Sequence, residues 1–96
     1  MAHTENQLAM LKVDLGLMSI TDAQTAYLEQ LLDAAQQRLA TQGLSLVAGD
    51  PDHDALVVMY ASWNYRKRTG EGDTDMPAPL RKARNDLLFS QKGRTE

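Results

Sequence analysis

Polar and apolar positions repeat with a helical period in four stretches, each set off from the next by glycine or proline. The first, ENQLAMLKVDLG, places Leu8, Leu11 and Leu15 at i, i+3, i+7 with Met10 beside them, a narrow apolar stripe on a short helix. Gly16 suits the position just past its end, because glycine enters the left-handed region without a Cβ penalty. In the second stretch Thr21 is an N-cap with Gln24 three residues on, the capping-box spacing, and Asp22 complements the helix dipole. Leu28, Leu31, Leu32, Ala35 and Leu39 form one apolar face, widened by Tyr27 and Ala34. Glu29, Asp33, Gln36 and Gln37 take the opposite side, and Gly43 is the stop. This predicts a helix over residues 22–42.

The linker GLSLVAGD reads either as a short extended piece or as an irregular loop. Asp50-Pro51 then supplies an N-cap followed by proline at the first helical position, with Asp52 and Asp54 at the positive end of the dipole. ALVVMYASWNYRKR is apolar nearly all round for its first two turns, the mark of a central, buried helix. Arg66, Lys67 and Arg68 close it, cations at the negative end of the dipole. Gly70 and Gly72 interrupt the helix, and residues 69–76 read as a flexible Gly/Asp loop. After Pro77 and Pro79, Leu80, Ala83, Leu87 and Leu88 resume helical spacing, with Arg81, Lys82 and Arg84 outside. Residues 1–4 and 93–96 are expected to be disordered ends. The pattern predicts an all-α fold: a single-domain bundle of about four helices, with a long central apolar helix.

The chain of 96 residues is too short for two cores, and 43% hydrophobic with 24% charged residues is ordinary for a globular domain. It contains no cysteine, which removes disulfides and thiolate metal sites. No apolar run approaches the roughly 20 residues of a membrane span, and MAHTENQ is not an export signal, so no membrane is expected as a partner and synthesis in the cytosol is expected. Charge changes the picture more. Residues 1–58 carry eight acids against two cations, a balance of −6, and residues 59–96 carry five acids against eight cations, a balance of +3. Such halves can attract a second copy head to tail, or can be no more than solvated faces.

Three kinds of chemistry are open to the cationic and acidic run WNYRKRTGEGDTDMPAPL: a nucleic-acid patch, a metal or phosphate site, or a surface that meets copies of itself. DPDHD, residues 50–54, opens as a calcium loop does, but Ala55 and Ala61 stand where that loop needs Gly and Glu. GEG lacks the Lys-Ser/Thr of a phosphate cradle. The histidines, His3 and His53, have no activated nucleophile beside them, His53 being expected half exposed at a helix start. No catalytic residue, cofactor site or metal site is predicted, and the chain is not expected to be an enzyme. A helical DNA-binding, helix-turn-helix-like regulatory module is the alternative, since the last helix carries Arg81, Lys82, Arg84 and Lys92. Against it stand a pI near 5.2 and the acids interrupting that helix and preceding it.

The order of these segments resembles the head–tail connector, or adaptor, family of tailed bacteriophages. The likeness covers residues 8–92: a short helix ending DLGL, ITDAQTAYLEQLLDAAQQRL with the turn TQGL, DALVVMYASWNYRKR, a polar loop, and MPAPLRKARNDLLFSQK. Tyr65, Arg66, Arg68, Met76, Pro77 and Leu80 occupy its pattern positions, while Asp86 departs from it. The resemblance implies a structural, non-enzymatic virion protein at the head–tail interface, assembled in the host bacterial cytoplasm. It implies a homo-oligomeric ring of about a dozen subunits docked on the portal protein. Such a ring extends the DNA channel, lets DNA pass without sequence-specific binding, and seats the next tail-proximal connector or stopper protein. Residues 77–96 would reach toward the portal. Tyr65, Arg66, Arg68, Arg81, Arg84 and Phe89 are the candidate subunit and portal interface, with Arg66, Lys67 and Arg68 facing out toward a neighbour's acids. Phe89 has the alternative of packing against the central helix.

Overall fold

The computed structural model describes residues 4–47, 49–70 and 75–94. It contains α1 (Glu5–Leu15), α2 (Asp22–Thr41), α3 (Pro51–Thr69) and α4 (Ala78–Arg94), and no strand among the described residues. The all-α bundle expected from the periodicity is the fold observed. The linker after α2 is irregular over the residues described there.

Local chemistry sets the helix ends. Thr21 and Gln24 form the reciprocal capping box, with Thr21 Oγ1 accepting from Gln24 N at 3.1 Å and Gln24 Oε1 accepting from Thr21 N at 2.8 Å. Asp50 caps α3, its Oδ1 accepting from the N–H groups of Asp52 and His53. Gly16 (φ 71°) and Gly70 (φ 80°) end α1 and α3 in the left-handed region. One end differs from the sequence reading. Thr4, expected in a disordered end, caps α1 with a second capping box, donating its N–H to Gln7 Oε1 and accepting from Gln7 N. At the other end α4 continues through Arg94. Of the Gly/Asp loop, residues 71–74 lie outside the described residues.

The core explains why α3 is apolar on all sides. Leu56, Val57, Val58, Tyr60 and Ala61 are buried, and α3 packs against each of the other three helices. Leu11 of α1, Leu28, Leu31, Leu32, Ala35 and Leu39 of α2, Leu44 of the linker and Leu80 of α4 complete the cluster. Ala34, read as part of the α2 face, is instead exposed. Among the helices α4 packs only against α3.

Gln36 departs from its expected place on the polar side of α2, being only 2% exposed. It belongs to a buried polar cluster that joins three helices. Gln36 Nε2 donates to Gln7 Oε1 at 2.7 Å, and Gln7 Nε2 donates to Asp54 Oδ1 at 2.8 Å. The arrangement is self-consistent: a carboxylate oxygen accepts, so the Gln7 amide turns its NH₂ to Asp54 and its oxygen to Thr4 and Gln36. Burying these groups without partners would be costly, and no buried side-chain polar atom among the described residues lacks one.

Candidate interaction surfaces

The cationic end of α3 is the first surface the sequence singles out, and its side chains are engaged within the chain. Arg66 donates from Nη2 to the backbone oxygen of Asp14 at 3.0 Å and from Nε to Ser62 Oγ at 3.3 Å, with the Asp14 carboxylate 3.9 Å away. The Asp14 carbonyl belongs to the last turn of α1, whose terminal carbonyls have no partner inside their own helix. Arg66 therefore caps α1 from outside. The guanidinium of Arg68 lies 5.3 Å from the Tyr27 ring centroid, and the ammonium of Lys67 lies 4.4 Å from that of Trp63. Tyr65 meets Tyr27 at 6.2 Å between centroids, so Tyr65, Arg66 and Arg68 fasten the end of α3 to α1 and α2. The three cations are exposed, as expected, but each already has a partner in its own chain.

A second group lies on α4. Arg81 donates to the Met76 carbonyl at 3.0 Å, and Arg84 donates to Gln42 Oε1 at 3.1 Å and to Asn85 Oδ1. Gln91 makes a two-sided clamp on the linker, accepting from Ser45 N at 2.9 Å and donating to Ser45 O at 2.8 Å. Lys82 is drawn to Asp86 at 2.9 Å, and that hydrogen bond holds its ammonium above the usual lysine range. Phe89 is 82% exposed, so it does not pack against the central helix. Phe89 and buried Leu80 are nine residues apart, about two and a half helical turns, and so point to opposite sides of α4.

The DPDHD stretch disperses rather than converges. Asp50 caps α3, Asp54 accepts from Gln7, and His53 Nδ1 accepts from Val47 N at 2.8 Å. His53, expected half exposed, is 9% exposed because that bond draws it under the linker.

Two hollows beside α3 were not anticipated. Ala9, Met10 and Val13 of α1 face Ala55, Val58 and Met59 of α3 across an apolar groove of about 510 Å³, with Asp14 at its edge. A second hollow, of about 360 Å³, lies between α3 and α4 and also uses Ala55 and Met59. The two flank one stripe of α3, and Val13 stands 81% exposed beside the first. The signal for them lay in small Ala9 and Ala55, which leave the helix pairs unfilled. No described helix is long and apolar enough to cross a membrane.

In comparisons with known proteins, no family model, no curated protein and no solved structure matches this chain.

Proposed function

We propose that this protein is a structural subunit of a head–tail connector ring, which docks on a phage portal, prolongs the DNA channel and seats the next tail-proximal protein. Supporting the reading are the motif order that ends in Tyr65-Arg66-Lys67-Arg68 and restarts at Met76-Pro77, and the polarity of the two halves of the chain. The observation that carries it is apolar surface left open, at the α1/α3 groove and at Phe89 and Met18 among the described residues, on a bundle whose described buried polar side chains all have partners.

Magnitudes favour assembly that waits for a template. Exposed ion pairs contribute about 0–1 kcal/mol each, and burying one phenylalanine about 1.5–3 kcal/mol. Association of two proteins loses about 4–15 kcal/mol in freedom of motion. A single such contact is therefore weak. A closed ring gives every subunit two contacts, and a portal holds neighbours at high local concentration. The DNA-binding alternative draws no support from Arg81 and Arg84, which hydrogen-bond Met76 and Gln42.

The test is mass measurement in solution, with and without a portal ring. The expected result is a multi-subunit ring, formed at high concentration or on the portal. A chain that stays monomeric at millimolar concentration, ignores the portal and binds a defined duplex tightly would overturn the reading.

A further inference from the structure

We infer that His53 is an acid-released latch: its neutral imidazole pins the linker between α2 and α3 to the start of α3, and its protonated imidazole lets that linker go and loosens the hold on α4. The inference stands apart from the connector reading. It starts from one bond whose direction fixes a protonation state. Val47 N–H donates to His53 Nδ1 at 2.8 Å, so Nδ1 carries no proton and the neutral imidazole has its proton on Nε2. Charging this histidine adds a proton at Nδ1. The accepting atom becomes a donor that faces the Val47 N–H, and the bond cannot persist.

The charged imidazole has another partner at hand. Its Nε2 lies 4.0 Å from Asp50 Oδ2, and among the described residues no other carboxylate is at ion-pair distance from it. The linker, residues 42–49, has no titratable side chain. The charged groups of the surrounding helices are engaged elsewhere. Asp54 accepts from Gln7 of α1, Arg84 of α4 donates to Gln42, and Asp86 of α4 is tied to Lys82. Asp52 lines the hollow between α3 and α4, and Asp33 of α2 lines a separate hollow against Leu44, Ser45 and Leu46. The positive end of the α3 dipole opposes a charge on His53 and Asp50 offsets it, so acid moves the imidazole from Val47 to Asp50.

The release spreads because the linker is held at few points. Val47 O accepts from Asp50 N at 3.2 Å, and Gly49 turns the chain there at φ 89°. Two residues before Val47, the Gln91 amide clamps both backbone groups of Ser45. One stretch of linker is thus fastened to α3 and to α4 at once. His53 is buried, and lifting that stretch admits water to a charge that burial would penalise.

The test is NMR on the full chain at about pH 8 and about pH 5, the two sides of histidine titration. At the higher pH the His53 nitrogens are expected to show a bare Nδ1 and a protonated Nε2, with the Val47 amide protected from exchange. At the lower pH Val47 protection, corrected for the intrinsic exchange rate, is expected to fall roughly 3- to 10-fold, with smaller falls at Ser45 and in the C-terminal half of α4. His53→Asn, whose side-chain oxygen replaces Nδ1 and does not titrate, is expected to keep Val47 protected at both pH values. His53→Phe is expected to leave it unprotected at both, with helicity unchanged. A proton on Nδ1 at the higher pH, an imidazole still neutral at the lower one, or equal Val47 protection at the two would overturn the inference. So would His53→Asn losing protection in step with the wild type, since acid would then act elsewhere. A response at Val47 with Ser45 and α4 unmoved would overturn the coupling to α4.

Discussion

The three-helix body and the fourth helix are held by different means. In α1, α2 and α3 leucines interlock around α3, the Gln36–Gln7–Asp54 cluster keys all three helices, and Arg66 ties α3 back to the last turn of α1. Among its described side chains α4 places only Leu80 fully in the core; it packs on α3, and reaches the end of α2 and the linker through Arg84–Gln42 and the Gln91–Ser45 clamp at the surface. Regions with few buried contacts and solvent-reachable hydrogen bonds open at lower free energy than the rest of a domain. The body is thus built for a single geometry, and α4 is built to be adjusted, which suits the element that carries the outward aromatic.

The strongest challenge to this contrast is Leu32→Ala. It is expected to destabilise the whole bundle by about 2–5 kcal/mol in denaturant unfolding, with α4 lost in the same transition. Asp54→Ala should come next, at about 1–3 kcal/mol, because the Gln7 NH₂ would be left buried without its acceptor. A loss too small to resolve would mean that the polar cluster does not key the three helices. Gln91→Ala is expected to raise amide exchange in α4 and the linker while moving the global midpoint by less than about 1 kcal/mol. Exchange rising equally in α2 would erase the distinction between body and appendage. Arg66→Glu brings like charges together at Asp14 and should lower stability by no more than about 1 kcal/mol, with faster exchange at the end of α1.

The smallest effect is expected at Lys82. Its ammonium is fully exposed and is held up by Asp86, so Lys82→Met should leave the neutral-pH midpoint unchanged. A group whose folded value is raised stabilises while it is charged and stops doing so as pH rises through that value. Any difference from the wild type should therefore lie below the lysine titration range and vanish in strong alkali. A neutral-pH midpoint that falls would give this pair a weight its exposure denies.

The sequence was most readable where one helix solves its own problem. Apolar spacing located the core face of α2 and the all-round burial of α3, and local cap chemistry at Thr21, Asp50 and Gly16 marked ends that need no tertiary partner. It was least readable where a polar side chain is claimed by a distant element. Gln36 looks like a solvated position until Gln7 arrives from another helix, 29 residues away. Thr4 reads as part of a disordered end although T-E-N-Q has the same cap spacing as T-D-A-Q, because the apolar stripe that follows it is narrow. The cations of α3 were correctly placed at a helix end, but periodicity says nothing of which rings and carbonyls lie across from them. The groove was hard to read for a related reason: small Ala9 and Ala55 signal unfilled space, but only the pairing of two helices shows where that space opens.

Gln7 closes the first turn of α1 with the same amide that bridges α2 and α3. The start of this helix and the meeting of the three helices therefore share one side chain. Removing the first few residues through Thr4 would not trim a loose end; it would reach, by one backbone N–H, into the interior. An affinity handle fused there sits beside a structural keystone, and any shortened version of the protein should begin no later than the threonine.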